Sequence, residues 1–123
     1  MYVKRNWMDE APYVGHESAI IWPIFRGKGT KNRTFEQAPL EGMSGFTRHL
    51  MQGGKSGDYH SHEAEEQLYY FIKGNGKMKI DDVVFDVQEG DAVYIPVNAK
   101  HQLINNSSDW IEHILVSAPV PKQ

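Results

Sequence analysis

His60-Ser61-His62, Gln67 and His101 are the residues of this chain whose types and spacing could do chemistry. Three imidazoles and one amide oxygen can close around a single divalent metal ion if the backbone brings them together. Two histidines two residues apart point to the same face of a β-strand, because successive side chains alternate faces. The pair therefore reads as a strand-borne chelate. His101 lies far along the chain, at the end of the stretch Gly90-Asp91-Ala92-Val93-Tyr94-Ile95-Pro96-Val97-Asn98-Ala99-Lys100-His101. Only a fold can deliver it to the pair.

The elements that must do so are strands. Turn signals recur at short spacing: Gly53-Gly54, Gly74-Asn75-Gly76, Asp81-Asp82, Glu89-Gly90-Asp91 and Asn105-Asn106. Between them lie runs rich in aromatic and β-branched residues, the composition of strands. Gln67–Ile72 is one run. Gly76–Ile80 and Val83–Val87 read as a hairpin around Asp81-Asp82, and Ala92–Pro96 ends at a proline that cannot donate to a ladder. Trp110–Ser117 alternates, with Ile111, His113, Leu115 and Ser117 on one face and Glu112 on the other. No window carries a sustained helical period, so the expected class is all-β, a sandwich or small barrel. The apolar run Ser18–Phe25 contains Pro23, which predicts an edge strand or a bent one. An apolar edge needs cover. Residues 1–40 are therefore expected to form an N-terminal arm with an edge strand, and residues 41–123 the barrel. Cover for the arm comes either from a second copy, giving a homodimer, or from the chain's own barrel.

The totals narrow the class. With 123 residues the chain can bury one core but not two. A formal net charge of -3 gives no electrostatic reason to expect a nucleic-acid partner. No apolar run approaches the roughly 18–20 residues of a membrane span, and the N-terminus does not read as a signal peptide. The absence of cysteine excludes disulfides, thiolate zinc sites and a cysteine nucleophile. A cytoplasmic location is the expectation.

On these residues the chain resembles a single-domain cupin, a small double-stranded β-helix. The first motif of that family is a glycine, five residues, His-x-His, three or four residues, a glutamate, six residues and a glycine. It falls on Gly54, His60, His62, position 67 and Gly74. The second falls on Gly90, Pro96, position 98, His101 and Asn105. The resemblance spans roughly Gly45 to Pro119. It implies a metal site at His60, His62, His101 and the position-67 residue, holding one divalent transition metal (Mn, Fe, Ni, Zn, Co or Cu). It leaves the reaction open, because the same superfold hosts many chemistries.

Two positions depart from the pattern. Asn98 stands where the family has glycine; asparagine is the best non-glycine residue for a left-handed turn position, so the turn should survive. Gln67 stands where the family has glutamate. Glu66 fits the shorter spacing and is the alternative fourth ligand. The exchange alters charge: three imidazoles and an amide leave a divalent ion at +2, three imidazoles and a carboxylate leave it at +1. The amide site is the stronger Lewis acid and favours anionic or chelating oxygen ligands.

Other residues could serve a pocket. Tyr69 shares parity with Gln67, and its hydroxyl could hold a substrate or move a proton; the alternative is a core aromatic. His113 lies on the expected inner face of the last strand. Arg48 and His49 are neighbours on one strand, so only one faces inward. An inward Arg48 would anchor a carboxylate or phosphate through bidentate hydrogen bonds. Tyr69, His113 and Arg48 are thus the candidate catalytic residues. Trp22, Phe25, Phe46 and Phe85 read as core.

The expected function is that of a metal-dependent enzyme acting on a small anionic or chelating metabolite, an isomerase, lyase or ring-opening activity on a sugar acid or similar oxyacid. Two alternatives stand beside it: a non-haem iron dioxygenase, and a non-catalytic module that binds a small acid. One cupin group with glutamine at this place acts on unsaturated uronates. The aspartate and phenylalanine of its last strand are not reproduced here, since Leu115 and Ser117 occupy the nearest positions, and that activity is not carried over.

Overall fold

The computed structural model describes residues 1–15 and 17–121. Among them the chain forms one short 3-10 turn, Trp7–Asp9, and nine strands: β1 (Tyr13–Val14), β2 (Ala19–Arg26), β3 (Gly45–Met51), β4 (Glu65–Lys73), β5 (Asn75–Ile80), β6 (Val83–Gln88), β7 (Ala92–Ile95), β8 (His101–Ile104) and β9 (Ile111–Pro119). They build two antiparallel sheets. One has six strands in the order β1-β2-β3-β9-β4-β7, the other three in the order β6-β5-β8. The all-β expectation holds, as does the hairpin. Its turn residues Asp81 and Asp82 both take positive φ, 45° and 68°, the turn geometry that matches strand twist. No helix among the described residues is long and apolar enough to cross a membrane.

The core lies between the two sheets. Met51, Tyr69, Phe71 and Leu115 come from the larger sheet and Met78, Val87 and Leu103 from the smaller, all nearly sealed from solvent. Each such side chain stabilises the fold by roughly 1.5–3 kcal/mol over its exposed state. The turn from β4 into β5 passes tight against the backbone ahead of β9 at Gly74. Its φ is +92°, and a Cβ there would sit 2.5 Å from the Trp110 carbonyl oxygen, so the turn into β5 tolerates only glycine. Trp22, Phe25, Phe46 and Phe85, expected in the core, are partly buried.

Of the two outcomes that Pro23 predicts for the run Ser18–Phe25, an edge strand or a bent one, the bend is present, and β1 covers β2 on its outer side only at Ile20 and Ile21. β2 pairs with β3 along its length, with a register shift at Pro23/Phe25. Pro23 therefore bends the strand. The residues before β1 fold back over the same barrel. Asn6 caps the 3-10 turn by accepting from the Met8 amide at 2.9 Å, and Arg5 donates to the Ile24 carbonyl of β2 at 2.6 Å.

Glu10 secures this arm. It is 8% exposed, accepts from Arg5 at 2.8 Å and forms an ion pair with Arg33. Burial pushes its carboxyl pKa up, but the hydrogen bonds and charges of Arg5 and Arg33 together outweigh burial and hold it below the usual carboxylate range. A carboxyl with a depressed folded pKa stabilises the protein above its unfolded pKa, and that contribution is lost as pH falls through the folded value. Urea denaturation followed from pH 7 down to pH 3, for order-of-magnitude reference about where free carboxylates titrate, should show falling stability. Glu10→Gln should be less stable at neutral pH by about 2 kcal/mol and should lose less on acidification. An identical acid dependence in both proteins would show that Glu10 is not the group responsible.

Candidate metal centre and its cavity

Local pairing gathers the histidines. The stretch ahead of His60 runs beside β8, with bridges between Ser56 and Ile104 and between His60 and His101. The His60 amide donates to the His101 carbonyl at 3.1 Å and the His101 amide donates back at 2.8 Å. His62 follows in an irregular stretch rather than a regular strand, so the two histidines converge without the ladder their spacing suggests. The Asn98 amide donates to the His62 carbonyl at 2.7 Å. Asn98 has φ +67°, the left-handed position expected of it.

The result is one cluster. A potential ligand atom from each of His60, His62 and His101 lies within 4.8 Å of the others. Ring centroids are 4.9 Å apart for His60–His62, 4.5 Å for His60–His101 and 5.3 Å for His62–His101. Backbone carbonyls assign the tautomers. His60 Nδ1 lies 2.8 Å from the Asp58 carbonyl and His101 Nδ1 lies 3.0 Å from the Ala99 carbonyl. A proton held on Nδ1 leaves Nε2 as a lone pair, the arrangement that orients an imidazole toward a metal. Burial, together with the neighbouring imidazoles and against the pull of the Ala99 carbonyl and Glu17, lowers the His101 pKa, so its ring is neutral near pH 7. Its Nε2 is buried and has no hydrogen-bond partner among the described residues. Such an atom costs about 1–3 kcal/mol when left bare. Three imidazoles gathered at one point fit a divalent transition ion.

Gln67 lies on the inner face of β4, 6% exposed. Its Nε2 donates to Ser117 Oγ at 3.3 Å, while its Oε1 is buried without a hydrogen-bond partner. Glu66 has the opposite parity and accepts from the Tyr94 hydroxyl at 2.9 Å on the exposed side. The alternative ligand Glu66 thus faces away from the barrel interior.

Arg48 is corrected in the same way. β3 turns Gly45, Thr47, His49 and Met51 inward, which leaves Arg48 outside. There its Nε donates to Glu112 at 2.8 Å, and its guanidinium lies over the Trp7 ring at 4.3 Å and the Trp22 ring at 4.6 Å. The inward neighbour is His49, 2% exposed. Its ring stacks on His113, which stacks on Tyr69, each pair 4.7 Å apart. Tyr69 and His113 both point inward as expected. Burial, reinforced by the Glu17 charge, raises the Tyr69 pKa. Burial and then the His49 neighbour hold the His113 pKa well below that of free histidine, with Glu17 and a backbone hydrogen bond acting the other way.

Two spaces open beside these groups. The smaller, about 10 Å³, is bordered by Glu17, His60, Tyr69, His101 and His113 and suits a single water-sized occupant. The larger, about 130 Å³, is bordered by Glu17, Arg26, Thr47, His49, Gln67 and Ser117 among others. Glu17 borders both. It sits just before β2, and its carboxylate lies 3.1 Å from His49 Nδ1, close enough for an ion pair but not aligned as a straight hydrogen bond. Neither Glu17 nor Arg26 stood out in the sequence. Arg26 ends β2, where its guanidinium donates to the Tyr13 hydroxyl at 3.1 Å.

Comparison with known proteins agrees with this architecture. A family model described as the cupin domain matches residues 46–116. An uncharacterized protein of Methanocaldococcus jannaschii is 39% identical over 120 residues, 95% of this chain and 86% of that protein. Among solved structures, a predicted oxalate decarboxylase from Thermotoga maritima superposes with a TM-score of 0.78 at 17% identity, covering 98% of this chain and all of the other, 100%. KdgF from Halomonas sp. superposes with a TM-score of 0.71 at 14% identity, covering 94% and 91% of the two chains. At such identities the structural likeness speaks for the fold alone.

Proposed function

Because the chain belongs to the cupin family and gathers three histidines at one point of its barrel, we propose that it is a divalent-metal-dependent enzyme acting on a small, oxygen-rich, anionic metabolite. The observation that carries this reading is the convergence of His60, His62 and His101, with the Nδ1 atoms of His60 and His101 facing backbone carbonyls. These three residues would hold the ion, with Gln67 Oε1 as fourth ligand. Bound there, a divalent ion supplies Lewis-acid polarisation of a substrate carbonyl or carboxylate oxygen. The protein's own groups do the rest. Ser117 accepts from the Gln67 amide nitrogen and so holds the side chain with its Oε1 left to bind. Arg26 at the cavity wall takes the anchoring part that the sequence suggested for Arg48, holding a carboxylate or phosphate. An isomerase, lyase or ring-opening reaction on an oxyacid suits such a chamber.

Elemental analysis of the purified protein, followed by reloading with Mn, Fe, Ni or Zn, tests this. The expected result is about one ion per chain and tighter oxalate binding when the ion is present. A protein that is isolated metal-free and gains no oxalate affinity on reloading would be a simple binding module. Oxygen uptake by the iron-loaded protein with a turnover substrate would make it a dioxygenase instead.

The proposed fourth ligand gives a second prediction. Gln67→Glu should retain the ion while lowering its net charge by one. Calorimetry should then show oxalate binding weakened by about tenfold or more. Unchanged oxalate affinity would place Gln67 away from the ion.

A further inference from the structure

His49, buried in the interior, has a polar group beside each ring nitrogen, although only Nε2 makes a hydrogen bond. Its Nδ1 faces the Glu17 carboxylate at 3.1 Å, and its Nε2 lies 2.8 Å from Thr47 Oγ1. Thr47 Oγ1 has a further acceptor, the Leu115 carbonyl at 3.4 Å. All three side chains border the larger cavity, next to Gln67 and Arg26.

We propose that Glu17, His49 and Thr47 form a proton relay for a substrate held in that cavity. The proposal rests on the metal-dependent reading above and assigns its proton-transferring group. The surroundings accommodate His49 in both of its protonation states. When the ring is neutral, the Thr47 hydroxyl donates to Nε2 and Nδ1–H faces Glu17. When the ring is protonated, Nε2–H donates to Thr47 Oγ1, the hydroxyl turns to the Leu115 carbonyl, and the carboxylate of Glu17 faces the charge. A group served in both states changes charge with little rearrangement, which is what a general acid or base needs. The third member that orients the imidazole, a carboxylate, is the recurring partner of a histidine that moves protons.

The step balances. A substrate proton, from oxygen or from a carbon next to a carbonyl, passes to Thr47 Oγ1 as the Thr47 hydroxyl proton passes to His49 Nε2. The electron pair of the broken bond stays on the substrate. The reverse transfer delivers the proton to the product, so no oxidant or co-reactant enters. Tyr69 and His113, the residues the sequence suggested for this role, border the smaller space instead. Burial also holds His113 in its neutral form and Tyr69 in its protonated one.

The test uses the zinc-loaded full chain and hydroxypyruvate, an anionic α-keto acid, in deuterated water. Proton NMR reads loss of the methylene signal next to the keto group. The expected result is enzyme-dependent exchange, slowed roughly 100-fold or more in His49→Gln and about tenfold in Glu17→Gln and Thr47→Val, with Thr47→Ser restoring it. Zinc content should remain one per chain in every variant, to the roughly tenfold precision in affinity that matters here. Exchange undiminished in His49→Gln overturns the relay. So does zinc loss from Glu17→Gln, which would make Glu17 a ligand, and so does a Tyr69→Phe variant that loses as much as His49→Gln. Wild-type protein that holds zinc but catalyses no exchange overturns the relay and leaves the metal site standing. Wild-type protein that holds no metal removes the metal-dependent reading, and the relay falls with it. Should His49→Gln fail to fold, long-range proton–nitrogen NMR of the wild-type zinc protein decides: a protonated Nδ1 on His49 supports the relay, and a bare one overturns it.

Discussion

His101→Ala should lower the metal affinity of the protein by at least about 100-fold while leaving a folded β-barrel. His101 contributes one of three imidazoles, and its ring is the most buried of the three, at 1% exposure. Truncation removes one imidazole of the cluster and leaves two. Metal content by plasma spectrometry, after dialysis against a weak chelator, should fall from about one ion per chain to below a tenth. Far-ultraviolet circular dichroism should keep its β spectrum, because the backbone pairing of His101 with His60 does not involve the side chain. His62→Ala, at a partly exposed position, should lose metal with less disturbance of the core and separates ligand loss from packing loss. Full metal stoichiometry in the double variant would remove the site from these residues altogether.

Asn105→Ala should be the most destabilising of the small substitutions, by about 3 kcal/mol or more, equivalent to a fall in Tm of roughly 10 °C. The Asn105 side chain is 1% exposed and is spent entirely on backbone closure. Its Nδ2 donates to the Met51 carbonyl at 3.1 Å and the Asp109 carbonyl at 2.7 Å. Its Oδ1 accepts from the Ser107 amide at 3.1 Å and the Ser107 hydroxyl at 2.7 Å. Alanine leaves these groups without partners in a place closed to solvent. Asn105→Asp keeps both acceptor interactions but turns a carboxylate toward two carbonyls, so it should recover none of the loss at neutral pH. Thermal melts of the three proteins check this; a melt of Asn105→Ala within a few degrees of wild type, against the roughly 4 °C that one kcal/mol moves a domain of this size, would mean that water replaces the amide. The asparagine that closes the second motif is thus a structural residue, and the histidine cluster depends on it only through the loop it holds.

Much of this molecule could be read from its residues, and the unread parts share a physical cause. The later strands announce themselves because turns punctuate them and one face is polar. Gln67 and Tyr69 on β4 and Ile111, His113 and Leu115 on β9 alternate with exposed or partly exposed residues. β3 gives no such pattern. Its outer residues Phe46, Arg48 and Leu50 are themselves partly covered, so apolar residues occur on both faces and parity cannot be fixed from sequence. That is why Arg48 and His49 could not be told apart. Glu17 had no signal at all. It lies outside any strand, in the connection between β1 and β2 just before Ser18 at φ +58°, where no periodicity marks which way a side chain faces. β8, four residues long like β7, lacks the proline that marks the end of β7 in the sequence and does not stand out as a separate run. The glutamine at position 67 and the asparagine at position 98 were legible for the opposite reason, because each stands in a motif whose geometry leaves few options.

The placing of Arg48 and His49 side by side on β3 has a mechanical consequence. One side of that strand clasps two indoles and Glu112; the other forms a wall of the chamber. The strand is a plank with a latch on its outer side and a reactive surface on its inner one. Whatever loosens the leading residues, whether a bulky tag, trimming or a crowded neighbour, tugs directly on that wall.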